Sequence, residues 1–233
     1  MPESCLVVFI GESFRTGGQC SRIIGNPESF DDQMAAISTH IKFLRHLNEA
    51  GYNVFTYVGT YETPYVENLV KEYNPDRIDI YSNTSRLGIQ TLFHNSYKNI
   101  NIDDFQYLVY IRIDLYLKDD FFVHFFLKPK LVFPCICWKR CSMTPYGYPR
   151  VNDMMLTIHK NYFHILDDVK IGHDCWEILA RQTNLQRHDF DCLLKTLHDS
   201  DSEKDFNPIY RIVNRPENKT FHSIGHFFKI TEN

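Results

Sequence analysis

Short apolar runs alternate with stretches of helical period through the first half of the chain. Residues 6–10 (Leu-Val-Val-Phe-Ile) are apolar without a break, as in a strand covered on both faces of a parallel sheet. At Gly11 the run gives way to a polar loop, Gly11-Glu12-Ser13-Phe14-Arg15-Thr16-Gly17-Gly18-Gln19-Cys20-Ser21-Arg22. Met34, Ile37, Ile41, Leu44 and Leu47 then recur at steps of three and four, which predicts a helix over 31–50 with one apolar face. Asp31 or Asp32 can open that helix and Gly51 can stop it. Strands are predicted over 52–58, running into Gly59-Thr60-Tyr61, and over 78–81, with helices over 65–73 and 87–99. Asn74-Pro75 ends the first of these helices, because the residue before a proline avoids helical geometry. The run Tyr107-Leu-Val-Tyr-Ile-Arg-Ile-Asp-Leu-Tyr-Leu117 reads as one long strand.

Such alternation predicts an α/β fold: a single-domain, Rossmann-like unit with a mostly parallel central sheet and helices on both faces. Residues 1–118 form the regular half and 119–233 a less regular one. In the second half, 130–133 and 152–158 read as strands. Helices are expected from Asp119 and over 174–182 and 189–198, and 138–150 reads as a loop over the site. Right-handed crossovers would bring the strand-end loops to one rim. The Gly11 loop, Thr60-Tyr61 and the pair Arg112 and Asp114 would then meet there, where open α/β sheets bind ligands.

Composition narrows the function. With 233 residues and 43% hydrophobic content, the chain can build a core. A formal net charge of -4 leaves no electrostatic footprint for nucleic acid. Seven cysteines cannot all pair internally; Cys5 sits in the first apolar strand, Cys175 and Cys192 sit in segments of helical pattern, and the three read as reduced, buried thiols. Cys135, Cys137 and Cys141 cluster, with His159 further on, but this spacing lacks the second pair of a structural zinc site. The start, Met1-Pro-Glu-Ser, has no signal-peptide pattern, and no apolar run approaches the length of a membrane span. A cytoplasmic protein is expected.

Several residues can carry chemistry. Backbone amides of Gly11, Glu12, Ser13, Gly17 and Gly18 can approach a pyrophosphate, and the guanidinium forks of Arg15 and Arg22 suit phosphate oxygens. The loop is neither a P-loop nor the Rossmann glycine fingerprint, and an ordinary glycine-rich turn explains it equally well. Thr60 and Tyr61 can hold a base or a sugar. Arg112 can contact a diphosphate, and Asp114 can ligate Mg²⁺ or Mn²⁺ through hard oxygen. The plain alternative for that pair is a surface salt bridge worth about 0–1 kcal/mol. Asp153 is the candidate general base for an acceptor hydroxyl. His40, inside the first helix, reads as a packed histidine.

Taken together, the strand followed by Gly-Glu-Ser-Phe-Arg-x-Gly-Gly-Gln, the helix with Ser38-x-His40, the strand end Thr60-Tyr61-x-Thr63 and Tyr110-Ile-Arg-Ile-Asp114-Leu resemble the small glycosyltransferases of large algal viruses (chloroviruses). The similarity spans residue 6 to about residue 163. It also resembles the GT-A layout, in which an Asp-x-Asp motif holds a divalent cation on the donor diphosphate. That resemblance implies a nucleotide-sugar donor and a glycan acceptor on a glycoprotein such as a viral capsid protein. It implies a UDP-sugar, with UDP-xylose one candidate, and it matches Asp114 to the metal-binding aspartate. Arg112 stands where the pattern has its first Asp. Two rivals remain. A methyltransferase using S-adenosylmethionine shares the glycine loop but needs an acid where this chain has Gly59-Thr60. A glycan-binding virion protein would need its aromatics exposed.

Overall fold

The computed structural model of the chain describes residues 2–17, 23–83, 88–137, 150–151, 154–169, 185, 187–194 and 209–213. Strand β1 (Ser4–Ile10) is followed by a loop whose short strands β2 (Arg15–Thr16) and β3 (Ile23–Ile24) pair antiparallel. Then come α1 (Phe30–Glu49), β4 (Asn53–Tyr61), α2 (Val66–Tyr73), β5 (Arg77–Tyr81), α3 (Ile89–Lys98) and β6 (Tyr107–Arg112). The second half adds β7 (Leu115–Leu117), α4 (Asp119–His124), β8 (Leu131–Cys137), β9 (Arg150–Val151), β10 (Met155–His159), β11 (Phe190–Leu194) and β12 (Tyr210–Ile212).

The main sheet runs β11-β8-β10-β6-β1-β4-β5, with β9 on β8. β1 is parallel to β4 and β6, and β4 to β5. β11 is parallel to β8, while β10 is antiparallel to both its neighbours. Strands from both halves of the chain thus share one sheet. β1 lies inside it, and its residues Cys5 to Ile10 are fully buried, as an apolar run covered on both faces must be. Alternate side chains go to opposite faces. Cys5, Val7 and Phe9 pack with Ile37, Phe43 and Leu47 of α1 and with Leu69 and Tyr73 of α2. Leu6, Val8 and Ile10 pack with Leu92, Phe93 and Tyr97 of α3. Helices therefore cover both faces, as the alternation predicts.

The register sets the rim. Ile10 is level with Gly59 on one side and with Arg112 on the other, so three strands deliver their following residues to the same edge.

His40 is buried in α1, stacked on the Phe9 ring at 4.6 Å. Its Nδ1 lies 2.5 Å from the Tyr73 hydroxyl and its Nε2 lies 2.6 Å from the Leu115 carbonyl. Nε2–H donates to that carbonyl, which leaves Nδ1 to accept from Tyr73. Burial pulls its pKa down to about 3, against the raising effects of the Leu115 carbonyl and the Asp114 charge. It is a packed histidine, held neutral.

Three expectations change. The run 107–117 is not one strand: β6 stops at Arg112, a turn takes Ile113 and Asp114, and β7 leaves to pair with β12. Residues expected as helix over 189–198 contain strand β11 instead. Phe190 and Cys192 enter one core cluster and Leu193 the other, a period of two that a short apolar run does not reveal by itself. In the segment expected as a strand from 152, the strand β10 begins at Met155. The expected helix 174–182 and the loop 138–149 lie outside the described residues.

Candidate active site

Gly11 takes the first position beyond β1 with φ +137°, where only glycine is comfortable. Its N–H donates to the Gly59 carbonyl at 3.1 Å, and its own carbonyl accepts from Thr60 Oγ1 at 3.0 Å. The Thr60 hydroxyl proton being spent there, the 2.8 Å contact between Ser13 Oγ and Thr60 Oγ1 has Ser13 donating. Ser13 and Thr60 are fully buried and Tyr61 nearly so. The Thr60 hydroxyl, read from sequence as a ligand group, is turned with that of Ser13 onto the loop, and the two fix its path across the end of β4.

Phe14 sits in the left-handed region at φ +50°, unusual for a bulky residue. Its ring packs with Phe30 and Tyr65, and its carbonyl accepts from the N–H groups of Gly25 and Asn26 at 2.7 and 3.0 Å. The loop is therefore held from three sides. Next to it, Arg15 is 6% exposed. Arg15 Nη1 donates to Glu12 Oε2 at 2.6 Å, while Arg15 Nη2 is buried with no hydrogen-bond partner among the described residues. A buried donor left unmade costs about 1–3 kcal/mol, and an anion at the loop would satisfy it.

Across the rim, the turn after β6 is tied to β1 by Ile113 N–H donating to the Ile10 carbonyl at 2.9 Å. A side chain on the bare Gly11 α-carbon would meet Ile113 at 3.4 Å, so the two loops lie against each other. Arg112 holds Asp114 with two bonds, Nε to Oδ1 at 2.8 Å and Nη2 to Oδ2 at 2.5 Å. Arg112 Nη1 also reaches Met154 Sδ at 3.1 Å. The carboxylate side chain is 4% exposed and the guanidinium side chain 17%. This is a forked, charge-assisted pair, not the loose surface bridge of the plain reading. Asp114 is in the turn rather than in an extended strand, so strand alternation is not what brings the two together.

Gln33 is the residue that sequence reading missed. Fully buried in α1, it accepts from Phe14 N–H at 3.1 Å through Oε1 and donates to the Ile113 carbonyl at 2.8 Å through Nε2. One amide thereby spans the Gly11 loop and the Arg112 turn. The signal was available: a glutamine lies between Phe30, Met34 and Ile37 on the helix face that carries the apolar residues, and a buried amide needs partners.

A second polar group lies between β4, β5 and α3. Tyr57 donates to Asp79 Oδ2 at 2.7 Å, and Asn95 Nδ2 donates to the Tyr81 hydroxyl at 3.1 Å. Burial first, then the bonds to Tyr81 and Asp79, push the Tyr57 hydroxyl far above its ordinary pKa.

The divalent cation expected at Asp114 does not fit this arrangement. Both carboxylate oxygens already accept from Arg112. An ion of charge two placed about 4 Å from the guanidinium would meet a repulsion of about 8 kcal/mol at an effective dielectric of about 20. Among the described residues no three His, Cys, Asp or Glu side chains are gathered as a metal would need. His159 caps a short helix, with Nδ1 accepting from Asn161 N–H at 3.2 Å, and it is not joined to a zinc set among the described residues. Gly17 is described with φ +84°, whereas Gly18, Arg22 and Asp153 lie outside the described residues.

No protein-family model matches the chain, and no curated protein sequence matches it. Solved structures do. The chain is similar to 4-diphosphocytidyl-2C-methyl-D-erythritol synthase from Anaerococcus prevotii, with 7% identity over 85% of this chain and 93% of that one, at a TM-score of 0.49. It is similar to a mutant Drosophila β1,4-galactosyltransferase 7 in complex with manganese, UDP-Gal and xylobiose, with 11% identity over 100% of this chain and 76% of that one, at 0.44. It is also similar to a glycosyltransferase involved in the glycosylation of the major capsid of PBCV-1, with 9% identity over 82% and 81% of the two chains, at 0.38. All three TM-scores fall below 0.5, and none of these likenesses assigns an activity or a residue to this chain.

Proposed function

We propose that the protein is a nucleotide-sugar-dependent glycosyltransferase, built as one catalytic unit with its donor site on the rim formed by Gly11–Gly17, Thr60–Tyr61 and the Arg112 turn. The observation that carries the reading is Arg15: a buried guanidinium with one nitrogen unpartnered among the described residues, on a glycine loop at the carboxyl end of a parallel strand. Guanidinium forks match phosphate oxygens, and this edge is where such sheets take ligands. The motif resemblance supplies the reaction class.

The donor is a UDP-sugar in this reading, with UDP-xylose among the candidates, and the acceptor is a glycan on a glycoprotein such as a viral capsid protein, in a reducing, cytoplasmic setting. Gly18 and Arg22 extend the phosphate-binding loop. In an inverting transfer, the bond from the anomeric carbon to the diphosphate oxygen breaks and its electron pair leaves with the nucleoside diphosphate. The acceptor oxygen bonds to the anomeric carbon, and its proton passes to Asp153. Arg15 and Arg112 meet the charge that develops on the leaving diphosphate.

A thermal-shift screen of the full chain across nucleotide sugars, nucleoside diphosphates and S-adenosylmethionine tests this. A shift with a sugar nucleotide supports the proposal. A shift with S-adenosylmethionine alone, or with none of the compounds, contradicts it.

A further inference from the structure

We propose that this site binds its donor diphosphate without a divalent cation, with Arg112 supplying the positive charge and Asp114 acting as the positioning residue that aims it. The inference rests on the nucleotide-sugar reading and concerns what neutralises the diphosphate.

Three observations point the same way. First, each oxygen of Asp114 accepts a charge-assisted hydrogen bond from Arg112, at 2.8 and 2.5 Å, so a metal ligated there would share its carboxylate with a guanidinium at hydrogen-bond distance. Second, the carboxylate is the buried member of the pair and the guanidinium the more exposed one, at 4% and 17%. The arrangement holds the anion behind and the cation in front. A metal-binding aspartate requires the reverse, with the anion toward the ligand. Third, Arg112 does not stand alone. Gln33 joins its turn to the loop of Arg15, whose Nη2 is buried and unpartnered among the described residues. Two arginines thus stand on loops that one buried amide ties together, so the backbone that carries them is set before the ligand arrives.

Each guanidinium also has a carboxylate beside it, Glu12 for Arg15 and Asp114 for Arg112. These carboxylates cancel much of the net charge at long range. What remains is directional: N–H groups at fixed positions. A site of this kind selects a ligand by the geometry of its oxygens, and added divalent ions gain it nothing.

Isothermal titration of the full-length protein with UDP and with a panel of UDP-sugars, once in EDTA and once in Mn²⁺, tests the proposal. The expected result is a Kd that agrees within about twofold in the two buffers. Arg112→Lys should weaken binding at least tenfold in both buffers while the melting curve keeps its shape, since an ammonium cannot reproduce the fork. Asp114→Asn should weaken binding by the same factor in EDTA and in Mn²⁺, because it acts through Arg112. If nucleotide binds only in Mn²⁺, the cation-free proposal is overturned and the glycosyltransferase reading stands. If no nucleotide binds in either buffer, both fall. The comparison of buffers on the unaltered protein decides the matter even where a variant fails to fold.

Discussion

Two arginine–carboxylate pairs share one rim and are built differently. Glu12 and Arg15 lie three residues apart in a loop and make one bond to each other at 2.6 Å, with a second guanidinium nitrogen unpartnered among the described residues. Arg112 and Asp114 lie two apart across a strand end and make two bonds, which occupy both oxygens of the acid. The first pair keeps an unused donor in a buried place. The second uses both oxygens of its acid to aim its base. The difference teaches that similar charge pairs in sequence can serve opposite ends, one to hold a cation ready and one to hold it still.

The comparison can be broken by mutation. Asp114→Ala should have the largest effect on stability, a loss of about 3 kcal/mol, because it strands a partly buried guanidinium; urea unfolding measures it. The figure is set at the low end because Arg112 keeps some solvent contact. Gln33→Ala comes next, at about 2 kcal/mol, since it leaves a buried N–H at Phe14 and a buried carbonyl at Ile113 without partners. It should weaken nucleotide binding as well, because it cuts the tie between the two loops. Equal nucleotide affinity in that variant would contradict its positioning role.

Acid should act on one side of the rim. His40, bonded to the Leu115 carbonyl beside the Asp114 turn, has its pKa pulled from 6.5 to about 3 by burial. The unfolded chain takes up a proton between those values and the native chain does not. Stability is therefore full above about pH 6.5 and falls as the pH drops toward 3. At pH 5 the loss is about 2 kcal/mol, and a flatter pH profile for His40→Gln would confirm its source. Glu12→Gln should have the smallest effect, about 1 kcal/mol, because the amide oxygen still offers Arg15 Nη1 an acceptor. A larger loss for Glu12→Gln than for Asp114→Ala, both measured in urea, would reverse the contrast between the pairs.

Much of this was legible in the chain. The unbroken run of β1 and the periodic face of α1 located the centre of the sheet, and the end of α2 at Asn74, in the left-handed region at φ +40°, follows from Asn74-Pro75. Convergence of Gly11, Gly59 and Arg112 on one rim follows from parallel strands and their register. Other features needed the fold. Nothing local marks the turn at Ile113 and Asp114, because its residues are as apolar-and-charged as the strand before them, and it is secured by a partner from afar, Val213 N–H donating to the Asp114 carbonyl at 2.9 Å. β11 depends on pairing with β8. The inward turn of Ser13 and Thr60, 47 residues apart in sequence, depends on the parallel pairing of β1 with β4. Gln33 was legible only as a polar residue on a helix's apolar face, without its two partners.

The central claim is that Arg15 stands ready for the phosphates of a sugar donor. Its most direct test is the release of nucleoside diphosphate from a panel of nucleotide sugars by the wild-type protein and by Arg15→Ala. The account predicts release from at least one donor, reduced at least tenfold in the variant while its melting temperature changes little. Release from no donor, or equal release by the two proteins, would contradict it.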